Sequence, residues 1–204
     1  TVQNEPGKTH LHHEAPTEQV VSLAHVVHME RRAARKIAAM VQTNMSPESR
    51  GASPAGAHFA KLHDEQKRAV RVTLKSPVSV LTGRPGCGKT TVTKSLLDAM
   101  KSSGLNVLLV GPTNRSAKQM TDATGQRAFT IHRALGTKGL NEFTHNGSNP
   151  LPHDVVVLDE AGQTDARMLD KLLQACKPSS SFIMVGDAEQ LAPIGFGKAF
   201  SDII

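Results

Sequence analysis

Beyond Pro77 the chain alternates two hydrophobic patterns. Short unbroken apolar runs, VSVL (78–81), NVLLV (106–110), DVVVLD (154–159) and SFIMVGD (181–187), are separated by segments at 89–101, 114–123 and 165–176 with helical spacing. A strand with one wet face alternates polar and apolar residues, whereas continuous β-branched runs suit strands covered on both faces. Their alternation with amphipathic helices predicts an α/β fold, a parallel sheet flanked by helices. Upstream, Val26, Met29, Ala33, Ile37, Ala38 and Val41 recur at three-to-four spacing within 20–42, which predicts an N-terminal amphipathic helix. A further helix is predicted over 62–75, with Leu62, Gln66, Ala69, Val70 and Leu74 on one face.

Three stretches lack such periodicity. Residues 1–17 are polar and read as a poorly ordered lead-in, so 1–42 forms a lead-in plus helix. Residues 43–58, with two Pro, two Gly and three Ser, have the composition of a flexible linker. Residues 136–153 interrupt the α/β alternation as an insert, in which Asn146-Gly147 predicts a tight hairpin turn. The main domain is then expected over 59–204.

Composition narrows the class. A chain of 204 residues, 38% hydrophobic, can bury one domain's core. It contains no run of about 18 apolar residues, the length a membrane span needs. The opening TVQNEPGKTH lacks the pattern of a secretory signal. Two cysteines, Cys87 and Cys176, exclude a disulfide scaffold and fit a reducing cytoplasm. Without Trp or Tyr, any base-stacking surface is poor in aromatics. The net charge of +6 is unevenly placed: residues 31–138 hold 19 basic and 5 acidic residues, and both flanks are net acidic. That basic middle fits either a polyanionic partner or solvated helix faces, and charge alone does not choose.

The strongest motif is Gly83-Arg84-Pro85-Gly86-Cys87-Gly88-Lys89-Thr90, followed by Thr91. It leaves a predicted strand and opens a predicted helix, the context a phosphate-binding loop requires. Its glycines let backbone N–H groups converge on phosphate oxygens, at the positive end of the helix. Lys89 supplies charge to the β/γ-phosphates and Thr90 a hydroxyl to Mg²⁺. Cys87 reads as a small filler, with no nearby base in sequence to activate it. Arg84 fits a contact to nucleotide or to nucleic acid. At the end of the third run, Asp159 can hold Mg²⁺ and Glu160 can orient and deprotonate an attacking water. In VGDAEQLAP (185–193), Gln190 can reach a γ-phosphate by hydrogen bonding.

Six ordered blocks carry a family resemblance: LHDEQKRAV (62–70), the phosphate loop, VGPTNRSAKQM (110–120), TIHRALG (130–136), LDEAGQ (158–163) and VGDAEQLAPIGFGKAF (185–200). The set resembles the first RecA-like motor domain of superfamily 1 helicases, in the RecD-like 5′→3′ branch. The resemblance implies ATP and Mg²⁺ as cofactors and single-stranded DNA as partner. It implies that Gln66 reads the adenine edge and that Lys89, Glu160 and Gln190 serve hydrolysis. Gly83, Pro85, Gly86, Cys87, Gly88, Lys89, Thr90 and Thr91 would cradle the nucleotide, with Thr90 and Asp159 on the metal. Pro112, Thr113, Thr130 and His132 match segments that contact the DNA backbone, and the 136–153 insert stands where such helicases carry a strand-separating hairpin.

These motors hydrolyse ATP between two RecA-like domains, the second supplying arginine fingers. The chain reaches Ile204 just past the Gln190 block and does not begin with Met, so the expectation is a piece of a longer protein, weakly active alone. Nuclease or recombination partners are left open. Two alternatives stand beside the motor reading: the helicase portion of a conjugative relaxase, and a non-motor P-loop nucleotide-binding protein. His10, His12, His13 and Glu14 read as a solvated tract rather than a metal site, and His25 and His28 as a polar helix face. Arg31, Arg32, Arg35 and Lys36 read as a solvated face rather than a DNA clamp.

Overall fold

The computed structural model describes residues 24–139, 142–187 and Phe200. Helix α1 (Ala24–Gln42) is followed by a 3-10 turn at Glu48–Arg50, then α2 (Gly56–Ala60) and α3 (Asp64–Lys75). The α/β region comprises β1 (Val78–Thr82), α4 (Lys89–Ser102), β2 (Val107–Gly111), α5 (Asn114–Thr124), β3 (Ala128–Thr130) and α6 (Ile131–Leu135). It continues with β4 (Thr137–Gly139), β5 (Glu142–Phe143), β6 (Val155–Leu158), α7 (Ala166–Ala175) and β7 (Ser181–Gly186). Strands β1, β7, β6, β2 and β3 lie in that order in one all-parallel sheet, and β4 pairs antiparallel with β5.

Three of the four apolar runs, β7, β6 and β2, form the centre of this sheet and are covered on both faces, while the run of β1 lies at one edge and is half-buried. Val156, Leu158, Phe182 and Met184 join a core with α1, α6 and α7 on one face. Val155, Val157, Ile183 and Val185 join a core with α3, α4 and Met120 of α5 on the other. Successive strand side chains point to opposite faces, so a strand covered twice has no polar register left to show. This three-layer arrangement is RecA-like, with a small hairpin attached.

The structure revises four expectations. In α1 the buried positions are Val26, Ala33 and Met40, spaced by seven, with Ile37 half-buried; Ala38 and Val41 are exposed. The helix lies along α7, where Lys36 Nζ donates to the Cys176 carbonyl (2.7 Å) and Gln174 Nε2 to that of Arg32 (3.4 Å).

Residues 43–58 dock rather than dangle. Ser46 and Ala52 are buried, and the Arg50 guanidinium donates to the carbonyls of Asp154 (3.0 Å), Met45 (3.3 Å) and Ser46 (3.4 Å) and to Ser181 Oγ. Ser181 Oγ in turn donates to the Met45 carbonyl (2.7 Å). One cation thus fastens a linker-like sequence to the starts of β6 and β7. Burial lowers the Arg50 pKa, an effect the neighbouring Asp154 charge opposes.

The third revision concerns the insert. Asn146-Gly147 does not turn the hairpin, because β5 ends at Phe143. Asn146 Oδ1 accepts from the N–H groups of Ser148 (2.9 Å) and Asn149 (3.2 Å), a side-chain-closed turn outside the strands. Fourth, β3 and α6 are elements that the hydrophobic pattern does not announce. Each is short, and α6 owes its start to Thr130 Oγ1 accepting from Arg133 N–H (3.2 Å).

Among the described residues no helix is long and apolar enough to cross a membrane, and no three metal-ligating side chains of His, Cys, Asp or Glu cluster. The His10–Glu14 tract lies outside them.

Candidate functional site

In an open parallel sheet the loops leaving the carboxyl ends of the strands share one edge, where ligands bind. The phosphate-loop motif leaves β1 at that edge and ends in α4. Gly86 (φ +81°) and Gly88 (φ +86°) occupy left-handed backbone, Gly88 as the N-cap of α4. Gly88 has a second constraint: a Cβ there would overlap the Gln66 amide. Lys89 Nζ donates to the Gly83 carbonyl and to that of Arg84 (3.1 Å), holding its ammonium against the loop. Pro85, Gly86, Cys87, Thr90 and Thr91 are exposed on it.

Gln66 bridges α3 and this loop. Its Oε1 accepts from His63 N–H (3.2 Å) at the start of α3, and its Nε2 donates to the Cys87 carbonyl (3.2 Å). The residue matched to adenine recognition is therefore brought to the rim of the phosphate loop.

Asp159 and Glu160 follow β6 two strands from β1, with β7 between. Asp159 N–H donates to the Val110 carbonyl (2.9 Å), extending the ladder by one residue and fixing the carboxylate at the tip. Burial raises the Asp159 pKa. The Glu160 backbone N–H lowers it, the Glu160 charge raises it, and the Lys89 charge lowers it. The Lys89 charge is the smallest of these effects, and both residues stand at the carboxyl edge of the one parallel sheet. Glu160 itself sits at φ +52°, ψ +40°, and Gln163 Nε2 donates to its Oε2 (3.3 Å). A non-glycine residue in left-handed backbone costs on the order of 1 kcal/mol, and such strain gathers at functional sites.

Between these motifs β7 ends at Gly186 and is followed by Asp187, a buried carboxylate that the motif reading passed over. The approach there is close. A Cβ on Gly162 would lie 3.0 Å from the Asp187 carbonyl, and one on Gly186 would lie 2.8 Å from the Phe200 ring. Gln190 lies outside the described residues.

The other predicted residues gather along the same edge, on β2 and β3. Gly111 and Thr130 are register partners, so Pro112, Thr113, Thr130 and His132 leave neighbouring strands. Thr113 caps α5 by accepting from Ser116 N–H (3.1 Å). His132 is exposed, its ring tilted against Phe143 at 6.0 Å between centroids. Beside them runs a cavity of about 280 Å³ lined by Lys118, Arg127, Phe129, Thr130 and Arg133, among others. Arg127 and Arg133 lie over the Phe129 ring, at 5.0 and 5.8 Å from its centroid. This pairing was invisible in sequence because it depends on β3 forming.

The chemistry of these donors fits a magnesium nucleotide. Mg²⁺ takes oxygen ligands and is commonly held by one or two carboxylates with waters and phosphates, the kind of oxygen donor that the Asp159 carboxylate and the Thr90 hydroxyl would offer.

Comparison with known proteins places the chain. The AAA domain family matches residues 66–196. The ATP-dependent RecD2 DNA helicase of Deinococcus radiodurans is 34% identical over 183 residues, covering 87% of this chain and 25% of that protein. The RecBCD enzyme subunit RecD of Haemophilus influenzae is 34% identical over 165 residues, covering 69% and 26%. The chain thus spans about a quarter of the length of these curated relatives. In fold it is similar to the Pif1 helicase of Candida albicans, with a TM-score of 0.51 at 20% identity over 66% of this chain and 34% of that one. The phosphate loop and these comparisons agree: the chain belongs to the AAA domain family and is similar, over most of its length, to RecD and RecD2 proteins.

Proposed function

We propose that this chain is the ATP-binding motor domain of a RecD-like DNA helicase that couples ATP hydrolysis to 5′→3′ movement on single-stranded DNA and to duplex unwinding. What supports the reading is the placement of the phosphate loop after β1 and of Asp159 after β6 at the carboxyl edge of one parallel sheet, with the Pro112–Thr113 and Thr130–His132 segments along that edge. One residue set, after β1 and β6, faces a nucleotide and the other, after β2 and β3, a polymer, and both rest on the same sheet.

In this mechanism the N–H groups of the 83–90 loop and the Lys89 ammonium hold the β/γ-phosphates. Lys89 exchanges its carbonyl acceptors on the loop for phosphate oxygens. Thr90 and Asp159 would hold Mg²⁺, which neutralises charge developing on the phosphates. Glu160 accepts the proton of the attacking water, its carboxylate steadied by Gln163, and Gln190 senses the γ-phosphate. Gln66 couples the loop to the base-recognition side of the pocket. A second RecA-like domain would add arginine fingers, worth roughly 10³–10⁵ in rate in comparable NTPases. The 204 residues by themselves therefore bind nucleotide and turn it over slowly. The setting expected for such a motor is the cytoplasm.

The test is affinity for a fluorescent ATP analogue with and without oligothymidylate. A motor domain shows reciprocal coupling between the two ligands, and a small-molecule P-loop enzyme ignores the polymer. Nucleotide binding indifferent to saturating DNA would remove the motor reading and favour the non-motor alternative.

A further inference from the structure

A second basic cavity, of about 400 Å³, lies on the helical face of the domain, where the hairpin meets α1 and α7. Arg32 of α1, Lys138 of β4, Lys171 of α7 and His145 line it, with Glu142 as the one acidic side chain. The cations come from three separate elements, so this is a concave site rather than the solvated face of one helix.

Its geometry is prearranged. Asp170, 1% exposed, lies 3.5 Å from Arg32 Nε, and Gln174 Nε2 donates to Asp170 Oδ1 (3.3 Å) and to the Arg32 carbonyl (3.4 Å). A buried carboxylate and an amide thus hold the guanidinium at the rim. Lys138 and Lys171 make no ion pair among the described residues. The cavity also adjoins the sheet edge: Phe143 lines it and packs its ring against His132.

We infer that this cavity binds the phosphodiester backbone of single-stranded nucleic acid, extending the path that crosses Thr113, Thr130 and His132 around the hairpin onto α1. Lys138 and Lys171 contact phosphates as point charges, and Arg32 offers its fork at a position fixed by Asp170. Phe143 gives an unstacked base an apolar neighbour. Helix α1 becomes part of the nucleic-acid surface, so Arg32 departs from the solvated-face expectation. The inference rests on the DNA-motor reading above, and its test separates the two.

The experiment measures anisotropy of fluorescein-labelled oligothymidylate of about 30 nucleotides, at several salt concentrations, for the 204-residue chain and three variants. Lys138→Ala/Lys171→Ala removes two phosphate contacts. It lowers affinity roughly tenfold or more at about 0.1 M salt and reduces the slope of log K against log salt by about 1.4. Circular dichroism and nucleotide affinity stay as in the parent. Arg32→Lys keeps the charge and loses the fork, and weakens binding with little change in slope. His132→Ala reports separately on the sheet edge. If His132→Ala weakens binding and the lysine pair does not, the cavity is refuted and the edge path stands. If the lysine pair weakens binding and His132→Ala does not, the cavity stands and the edge path is wrong. A parent chain that binds nucleotide and no oligothymidylate refutes both, as would an equal loss of poly-glutamate binding for the cavity's phosphodiester preference.

Discussion

Replacing Arg50 by Ala tests how the segment before α3 is held. The substitution removes four acceptor contacts, of which those to the Asp154 carbonyl (3.0 Å) and Ser181 Oγ are short and those to Met45 and Ser46 are 3.3–3.4 Å. A hydrogen bond from a charged donor contributes about 1.5–3 kcal/mol. Arg50 is only half-buried, and its lowered pKa shows that desolvation already offsets part of the gain. Two effective bonds at the low end give a loss of about 3 kcal/mol. With a urea slope near 2–3 kcal/mol per molar for a chain of this size, the midpoint falls by roughly 1–1.5 M. The chain has no Trp or Tyr, so the assay is far-UV circular dichroism rather than intrinsic fluorescence. Arg50→Lys, which keeps the charge without the fork, recovers less than half of the loss. A midpoint for Arg50→Ala within about 0.2 M of the parent would mean that residues 43–58 dock without their guanidinium, and the reasoning would fall.

Further outcomes follow from the same geometry. Gly88→Ala forces Cβ into left-handed backbone against the Gln66 amide, so ATP affinity falls tenfold or more by calorimetry, while Gly104→Ala, at φ +73° in open space, leaves affinity unchanged. Burial, together with the His145 and Lys177 charges, lowers the His153 pKa despite Asp154. Since the unfolded chain then binds the proton more tightly, stability is held above about pH 6.5 and lost as pH falls through the depressed value. His153→Gln flattens that loss in melting curves between about pH 7 and pH 5, and an unchanged profile would assign the acid sensitivity elsewhere. Cys87 is exposed on the phosphate loop, whereas burial pushes the Cys176 thiol up to about 12. Iodoacetamide should modify Cys87 in the native chain, bound ATP should protect it, and Cys176 should react only on unfolding. Rapid labelling of Cys176 in the native state would contradict the buried position of α7.

The sheet was legible because strands covered on both faces must be apolar throughout, as at Val155–Leu158 and Ser181–Gly186. The phosphate loop was legible because its chemistry depends on residue types at fixed spacing. What escaped the sequence depends on long-range contacts. A lone Arg50 turns a Pro/Gly/Ser stretch into a docked segment through partners over a hundred residues away. The face of α1 is set by α7, which selects Met40 over Val41. Asn146 closes its own turn with its side chain beyond the end of β5, where its Nδ2 donates to the Phe143 carbonyl (3.2 Å), and does not turn the hairpin. At the site, the left-handed Glu160 and the Arg127–Phe129–Arg133 stack arise from strand-tip geometry that composition does not encode. Domain boundaries at 42/43 and 58/59 carry less meaning than expected, since α1 and the following segment share the cores of the sheet.

The central claim is that Lys89 and Asp159 serve one magnesium nucleotide. Calorimetric titration of ATP, with and without Mg²⁺, into the chain and its Asp159→Asn variant tests it most directly. The account predicts that Mg²⁺ strengthens ATP binding in the parent and that this enhancement is lost in the variant, while metal-free affinity changes little. An Asp159→Asn chain that keeps the parent's full magnesium enhancement would show that the β6 carboxylate stands apart from the loop's ligand.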